Sequence, residues 1–139
     1  MYTLPIWILP VCKDDIYNIK GKLFGKSLWI MEKQKILIVD DSEMNRAFLV
    51  DILEEQYDVI EADNGVEAIS LLSKQRSDFS LLLLDIMMPE MDGFEVLAYI
   101  NKYHWNDTFA VIMISADDSP TNIKRAYDLG AFDYISRPF

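Results

Sequence analysis

The sequence predicts an α/β domain built on a doubly wound parallel sheet, and three observations predict it. Residues 80–89 carry four consecutive leucines closed by Asp85 and, after Ile86, Met87 and Met88, by Pro89; an apolar run of this kind reads as a strand buried on both faces. Lys35–Val39 repeats the pattern and also ends on acids, Asp40 and Asp41. From Lys35 onward, apolar runs of strand length alternate with stretches of helical spacing, the order that places helices on both faces of a parallel sheet.

Composition limits what this domain can do. The 139 residues suffice for one domain with a real core, and 51% of them are hydrophobic. Twenty-three acids stand against 13 bases, a formal net charge of −10. A chain this acidic lacks the basic face that phosphate backbones and anionic membranes require, so neither is expected as a direct partner. Cys12 is the single cysteine, which excludes an intramolecular disulfide and fits a reducing, cytoplasmic setting. No apolar run reaches the roughly 18 residues a membrane helix needs.

Residues 1–31 differ from the rest. The opening is apolar but broken by Pro5 and Pro10, and it lacks the basic start of a signal peptide. This segment is expected to be a poorly ordered N-terminal extension, leaving residues 32–139 as the folded domain.

The elements then follow in order. Lys35–Val39 is the first strand. Ser42 is a candidate N-cap for a helix in which Met44, Phe48 and Ile52 recur at i, i+4 and i+8, with Leu49 and Leu53 beside them. Residues 57–62 form a short strand whose Asp58 and Glu61 suit an edge. Asn64 and Gly65 turn the chain into a second helix with Ala68, Ile69 and Leu72 inward. The leucine strand comes next, and Asp92-Gly93 opens a third helix with Phe94, Leu97 and Ala98 inward. Residues 110–114 are a fully apolar strand ending at Ser115. Ser119-Pro120 caps and starts a fourth helix, with Ile123, Ala126 and Tyr127 inward and Gly130 as its left-handed stop. Asp133–Ser136 is a more polar fifth strand, suited to the other edge. With the first, third and fourth strands most apolar, the expected order is the flavodoxin-like 2-1-3-4-5. No final helix follows the fifth strand in this sequence.

Ligands of open α/β sheets gather outside the carboxyl ends of the strands, which is where Asp40, Asp41 and Asp85 fall. Carboxylates this close raise one another's pKa unless a cation neutralises them. With oxygen ligands only, Mg²⁺ is the natural occupant. Such a carboxylate can hold metal, act as a base or attack phosphorus, and the pattern of acids by itself leaves all three open.

Asp40-Asp41, the segment from Asp85 through Pro89 to Gly93, Ser115-Ala116 and the ending Asp133-Tyr134-Ile135-Ser136-Arg137-Pro138-Phe139 together resemble the response-regulator receiver domain of two-component signalling. The resemblance implies that Asp85 accepts a phosphoryl group from a histidine kinase or a phosphotransfer protein. It implies direct Mg²⁺ ligation by Asp41, Asp85 and the Met87 carbonyl, with Asp40 acting through water. It gives Ser115 the hydroxyl that reaches the new phosphoryl oxygen, and Tyr134 the aromatic position that turns with it. The implied protein is not an enzyme beyond its own phosphorylation and dephosphorylation, and it acts through an output domain outside this chain.

Two departures stand out. Arg137 occupies the position of the family's lysine, and its planar fork is not equivalent to an ammonium; Arg137-Pro138 is also a candidate cis bond. The family's fifth helix is missing. These departures favour the alternative, a non-phosphorylated pseudo-receiver acting as an interaction module, whereas the intact acid triad favours the phosphorylatable switch, which is the leading reading. An aspartyl phosphatase would want an acid at position 87, where Met87 stands. His104, the only histidine, is read as structural.

Overall fold

The computed structural model of this chain describes residues 33–138, so the expected N-terminal extension lies outside the described residues. The strands are β1 (Lys35–Val39), β2 (Asp58–Ala62), β3 (Phe79–Asp85), β4 (Ala110–Ser115) and β5 (Asp133–Ser136). They form one five-stranded sheet in the order β2-β1-β3-β4-β5, with every pairing parallel. The helices are α1 (Glu43–Leu53), α2 (Gly65–Gln75), α3 (Gly93–Lys102) and α4 (Pro120–Asp128). Among the described residues β5 is the last regular element, as the sequence led us to expect.

The sheet has two buried faces because its central strands are apolar at nearly every position between their ends. Leu37, Val39, Leu82, Leu84, Val111 and Met113 join Ala68 and Leu72 of α2, Phe94 and Leu97 of α3 and Ala126 of α4 in one core. The alternate residues Ile36, Ile38, Leu81, Leu83, Ile112 and Ile114 point the other way and are equally buried. The edges are more polar: Asp58 and Glu61 of β2 are exposed, and no residue of β5 is fully buried.

Helix starts are set by side chains that accept orphan N–H groups. Ser42, Asn64, Asp92 and Ser119 each accept the amide of the residue three positions on. At α3 the cap is reciprocal: Asp92 accepts the Glu95 amide at 2.9 Å and Glu95 accepts the Asp92 amide at 3.1 Å. Asp92→Ala is expected to cost about 1 kcal/mol in urea unfolding, and an unchanged midpoint would remove the cap from the account of α3.

Three helix faces differ from the sequence reading. On α1, Met44 is 80% exposed and Phe48 and Ile52 are more than half exposed, while Leu49 is the buried residue. The 45–46–49–53 side is the more buried one, and on it the Arg46 guanidinium reaches the Asp40 carbonyl at 2.7 Å and Glu61 at 3.1 Å. On α3, Ala98 is exposed, and Val96 and Ile100 are buried instead. On α4, Tyr127 is exposed, because its hydroxyl donates to Asp133 at 2.9 Å beyond the helix. Gly130 takes φ +96 as the left-handed stop. His104, with φ 57, sits in the turn after α3 and donates its backbone N–H to Asn101, a structural position at the far end of that helix from the acids. No helix among the described residues is long and apolar enough to cross a membrane.

Candidate functional site

Register brings the acids together. Val39 pairs with Leu84, so Asp40 and Asp85 leave adjacent strands side by side. Asp85 pairs with Ile114, which sets Ser115 one step further along β4. One ligand oxygen from each of Asp40, Asp41 and Asp85 lies within 4.8 Å of the others. Asp40 and Asp85 are 2% and 3% exposed, whereas Asp41 faces solvent.

Two buried carboxylates need compensation, and the chain supplies it. Asp40 accepts the Ser42 N–H at 2.8 Å. Arg137 enters from the end of β5: its Nη1 donates to Asp40 Oδ2 at 3.3 Å and its Nη2 to Asp85 Oδ1 at 2.7 Å. Its backbone N–H donates to the Ser115 carbonyl at 2.7 Å, and the Arg137-Pro138 bond is cis. Arg137 therefore binds both acids, where the sequence reading had it pairing with the acceptor. Compensation is incomplete. Burial first, then the charge of Asp40, pushes the Asp85 carboxyl up to about 6; Arg137 opposes this and Asp41 adds to it.

Ser115 is fully buried, and its hydroxyl accepts the Asp117 N–H at 3.0 Å. The Tyr134 phenol is half-buried and donates to the Asp117 carbonyl. Burial raises its pKa, and the neighbouring Ser115 hydroxyl acts in the opposite direction. Hydroxyl, loop and aromatic ring are thus linked next to the acids. Met87 lies in the loop after β3 with its side chain exposed. Arg46 was missed by sequence reasoning; a basic residue in the first turns of a helix, where acids are favoured, was the available signal.

The residues present fit a hard divalent cation. The donors are all oxygen, and two of the three carboxylates, Asp40 and Asp85, are nearly dehydrated with Asp41 beside them.

A doubly wound 2-1-3-4-5 sheet with buried acids at the carboxyl ends of its first and third strands defines a CheY-like α/β protein. The chain belongs to the response regulator receiver domain family, whose model matches residues 36–139. It is 40% identical over 111 residues to the chemotaxis protein CheY of Halobacterium salinarum, covering 78% of this chain and 88% of that one. It is 38% identical over 106 residues to the transcriptional regulatory protein SrrA of Staphylococcus aureus, covering 76% of this chain. A probable cyclic di-GMP phosphodiesterase of Vibrio cholerae matches at 34% identity over 127 residues, 91% of this chain. The chain spans only 42% of the length of SrrA and 28% of that phosphodiesterase. Among solved structures, Vibrio cholerae CheY4 superposes with a TM-score of 0.71 at 28% identity, covering 78% of this chain and 89% of that one. CheY of Borrelia burgdorferi, in its complex with CheX, BeF3 and Mg, gives 0.71 at 32% identity over 76% of this chain and 79% of that one.

Proposed function

We propose that this receiver domain is a phosphoryl-accepting switch, with Asp85 as its acceptor. The observation that carries the reading is the nearly dehydrated Asp85 carboxylate at the end of central strand β3, with the Arg137 cation at 2.7 Å and two further acids beside it. Above about pH 6 Asp85 is ionised, so its oxygen is available as a nucleophile. It attacks the phosphorus of a phosphohistidine; an O–P bond forms, the P–N bond breaks, and the imidazole leaves with the electron pair.

Transfer of this kind depends on positioning and charge neutralisation more than on covalent help. Asp41, Asp85, the Met87 carbonyl and, through water, Asp40 would hold Mg²⁺, which when bound neutralises charge on the transferring phosphoryl oxygens. Arg137 supplies the protein's own cation. The acyl phosphate adds a charge of about −1.5 to −2. Ser115 answers it by turning its hydroxyl from the Asp117 amide toward the new oxygen, and Tyr134 follows through its bond to the same loop. The phosphoryl donor is a sensor histidine kinase or a phosphotransfer protein, in the cytoplasm. The output lies in a domain outside this chain, with no direct role for nucleic acid or membrane here.

A second reading, a pseudo-receiver that signals by binding alone, is favoured by Arg137, which engages both acids at once. Incubation with acetyl phosphate and Mg²⁺, followed by mass spectrometry, separates the two. Modification confined to Asp85 and lost in Asp85→Asn is expected. Full labelling of that variant would move the acceptor elsewhere, and no labelling of the native chain would favour the pseudo-receiver.

A further inference from the structure

We propose that Arg137 is a resident cation of the acid site, and that a divalent ion must displace its Nη1 from Asp40 to bind fully. The inference rests on the reading that this site takes Mg²⁺ and a phosphoryl group, and concerns how the two cations share it.

The side chains of Asp40 and Asp85 are each 3% exposed, too dry to hold their charge without a partner. A lysine ammonium is a compact charge that can settle on one carboxylate and leave the other to a metal. The guanidinium is a rigid fork, and here its two terminal nitrogens reach one oxygen of each acid, at 3.3 and 2.7 Å. Asp40 then has both oxygens engaged, one by Arg137 and the other by the Ser42 amide. A metal that recruits Asp40, directly or through water, meets a carboxylate on which the Arg137 cation already sits.

The longer of the two bonds, to Asp40, is the one that can open. The bond to Asp85 is short, and the Arg137 backbone is held by the Ser115 carbonyl at 2.7 Å. Among the described residues the buried Nε–H of Arg137 has no hydrogen-bond partner. The head group is therefore placed by the two acids rather than by a complete set of acceptors. It can pivot about the Asp85 bond once a divalent ion takes over the charge of Asp40, and the free Nε–H becomes available to an incoming oxygen.

Mg²⁺ titration of the unphosphorylated full chain by calorimetry, at a pH where Asp85 is ionised, tests this with Arg137→Lys and Arg137→Gln alongside. Both variants should bind Mg²⁺ more tightly than the native chain, on the order of tenfold, an ordinary size for coupling between two ligands of one site. Thermal melts in chelator and in excess Mg²⁺ give a second readout, since stabilisation by a ligand grows with its concentration over Kd. The metal should raise the midpoint least in the native chain and most in Arg137→Gln. Should Arg137→Gln fail to fold, Arg137→Lys keeps a cation at the site, and its calorimetry decides. Equal affinities in all three proteins, or tightest binding by the native chain, would overturn the proposal. Equal affinities with normal labelling of Asp85 would remove this inference and leave the switch standing. Ranked affinities without labelling would do the reverse.

Discussion

Replacing Gly93 by alanine is expected to destabilise the domain by about 3 kcal/mol, at the upper end of ordinary overpacking costs. Helix propensity alone predicts the opposite sign, since alanine is favoured over glycine within a helix by roughly 1 kcal/mol. Contact decides the matter. A Cβ at position 93 would lie 2.2 Å from the Asp85 carbonyl oxygen, 2.8 Å from the Ile86 Cα and 2.9 Å from the Asp85 carbonyl carbon. All three are backbone atoms and cannot rotate aside, so either α3 or the end of β3 must move. The Gly93 N–H also donates to the Ile86 carbonyl at 2.8 Å, a bond that movement would stretch. Since the displaced backbone is that of Asp85, Mg²⁺ affinity and phosphoryl uptake should fall along with stability. Glu95→Ala, which removes one cap bond from the same helix, should leave uptake nearly intact. A Gly93→Ala chain within about 0.5 kcal/mol of the native one, the range of a neutral surface change, would show that the backbone yields easily here.

The close approach of α3 to β3 was invisible in the sequence, although Asp92-Gly93 marked the helix start. A glycine after an N-cap reads as a turn signal, and only the packed structure shows what lies against its hydrogen. Much else was legible because the physics is local. Four leucines in a short run closed by an acid and a proline read as a buried strand, and Ser42, Asn64, Asp92 and Ser119 cap their helices because short polar side chains suit that task. The sheet order followed from which strands were apolar on both faces. Helix rotation was less legible. The stripe of Met44, Phe48 and Ile52 has helical spacing, yet it is exposed, and the more buried side of the helix carries Arg46, which reaches a backbone carbonyl and an acid on another strand. Such a contact is long-range and leaves no periodic trace. The acid cluster could be read from strand ends. The double engagement of Arg137 could not, because it depends on how far a side chain from the last strand reaches across the sheet.

Asp85→Asn is expected to make the metal-free domain more stable at neutral pH while abolishing its proposed function. The Asp85 carboxyl is raised from 3.8 to about 6 in the folded chain, by burial first and then by Asp40. Between those two values the folded state holds a proton that the unfolded state has released, so stability falls as pH rises through the window. Above about 6 the full penalty applies, about 3 kcal/mol at 1.36 kcal/mol for each tenfold change in acidity. Asparagine removes the charge and keeps an oxygen for the Arg137 Nη2, though it gives up the attraction of an ion pair. The net gain should therefore be about 1–3 kcal/mol, and each kcal/mol shifts the midpoint by roughly 4–8 °C in a domain of this size. Below pH 3.8 the native carboxyl is protonated in both states and the advantage should vanish. Excess Mg²⁺ should shrink it too, because the ion binds the native acids better than an amide. Thermal melts of both proteins in chelator, above pH 6 and below 3.8, check each part. If Asp85→Asn melts lower than the native chain at neutral pH, or if its advantage is the same at both pH values, the charge on Asp85 is not what burdens the metal-free fold.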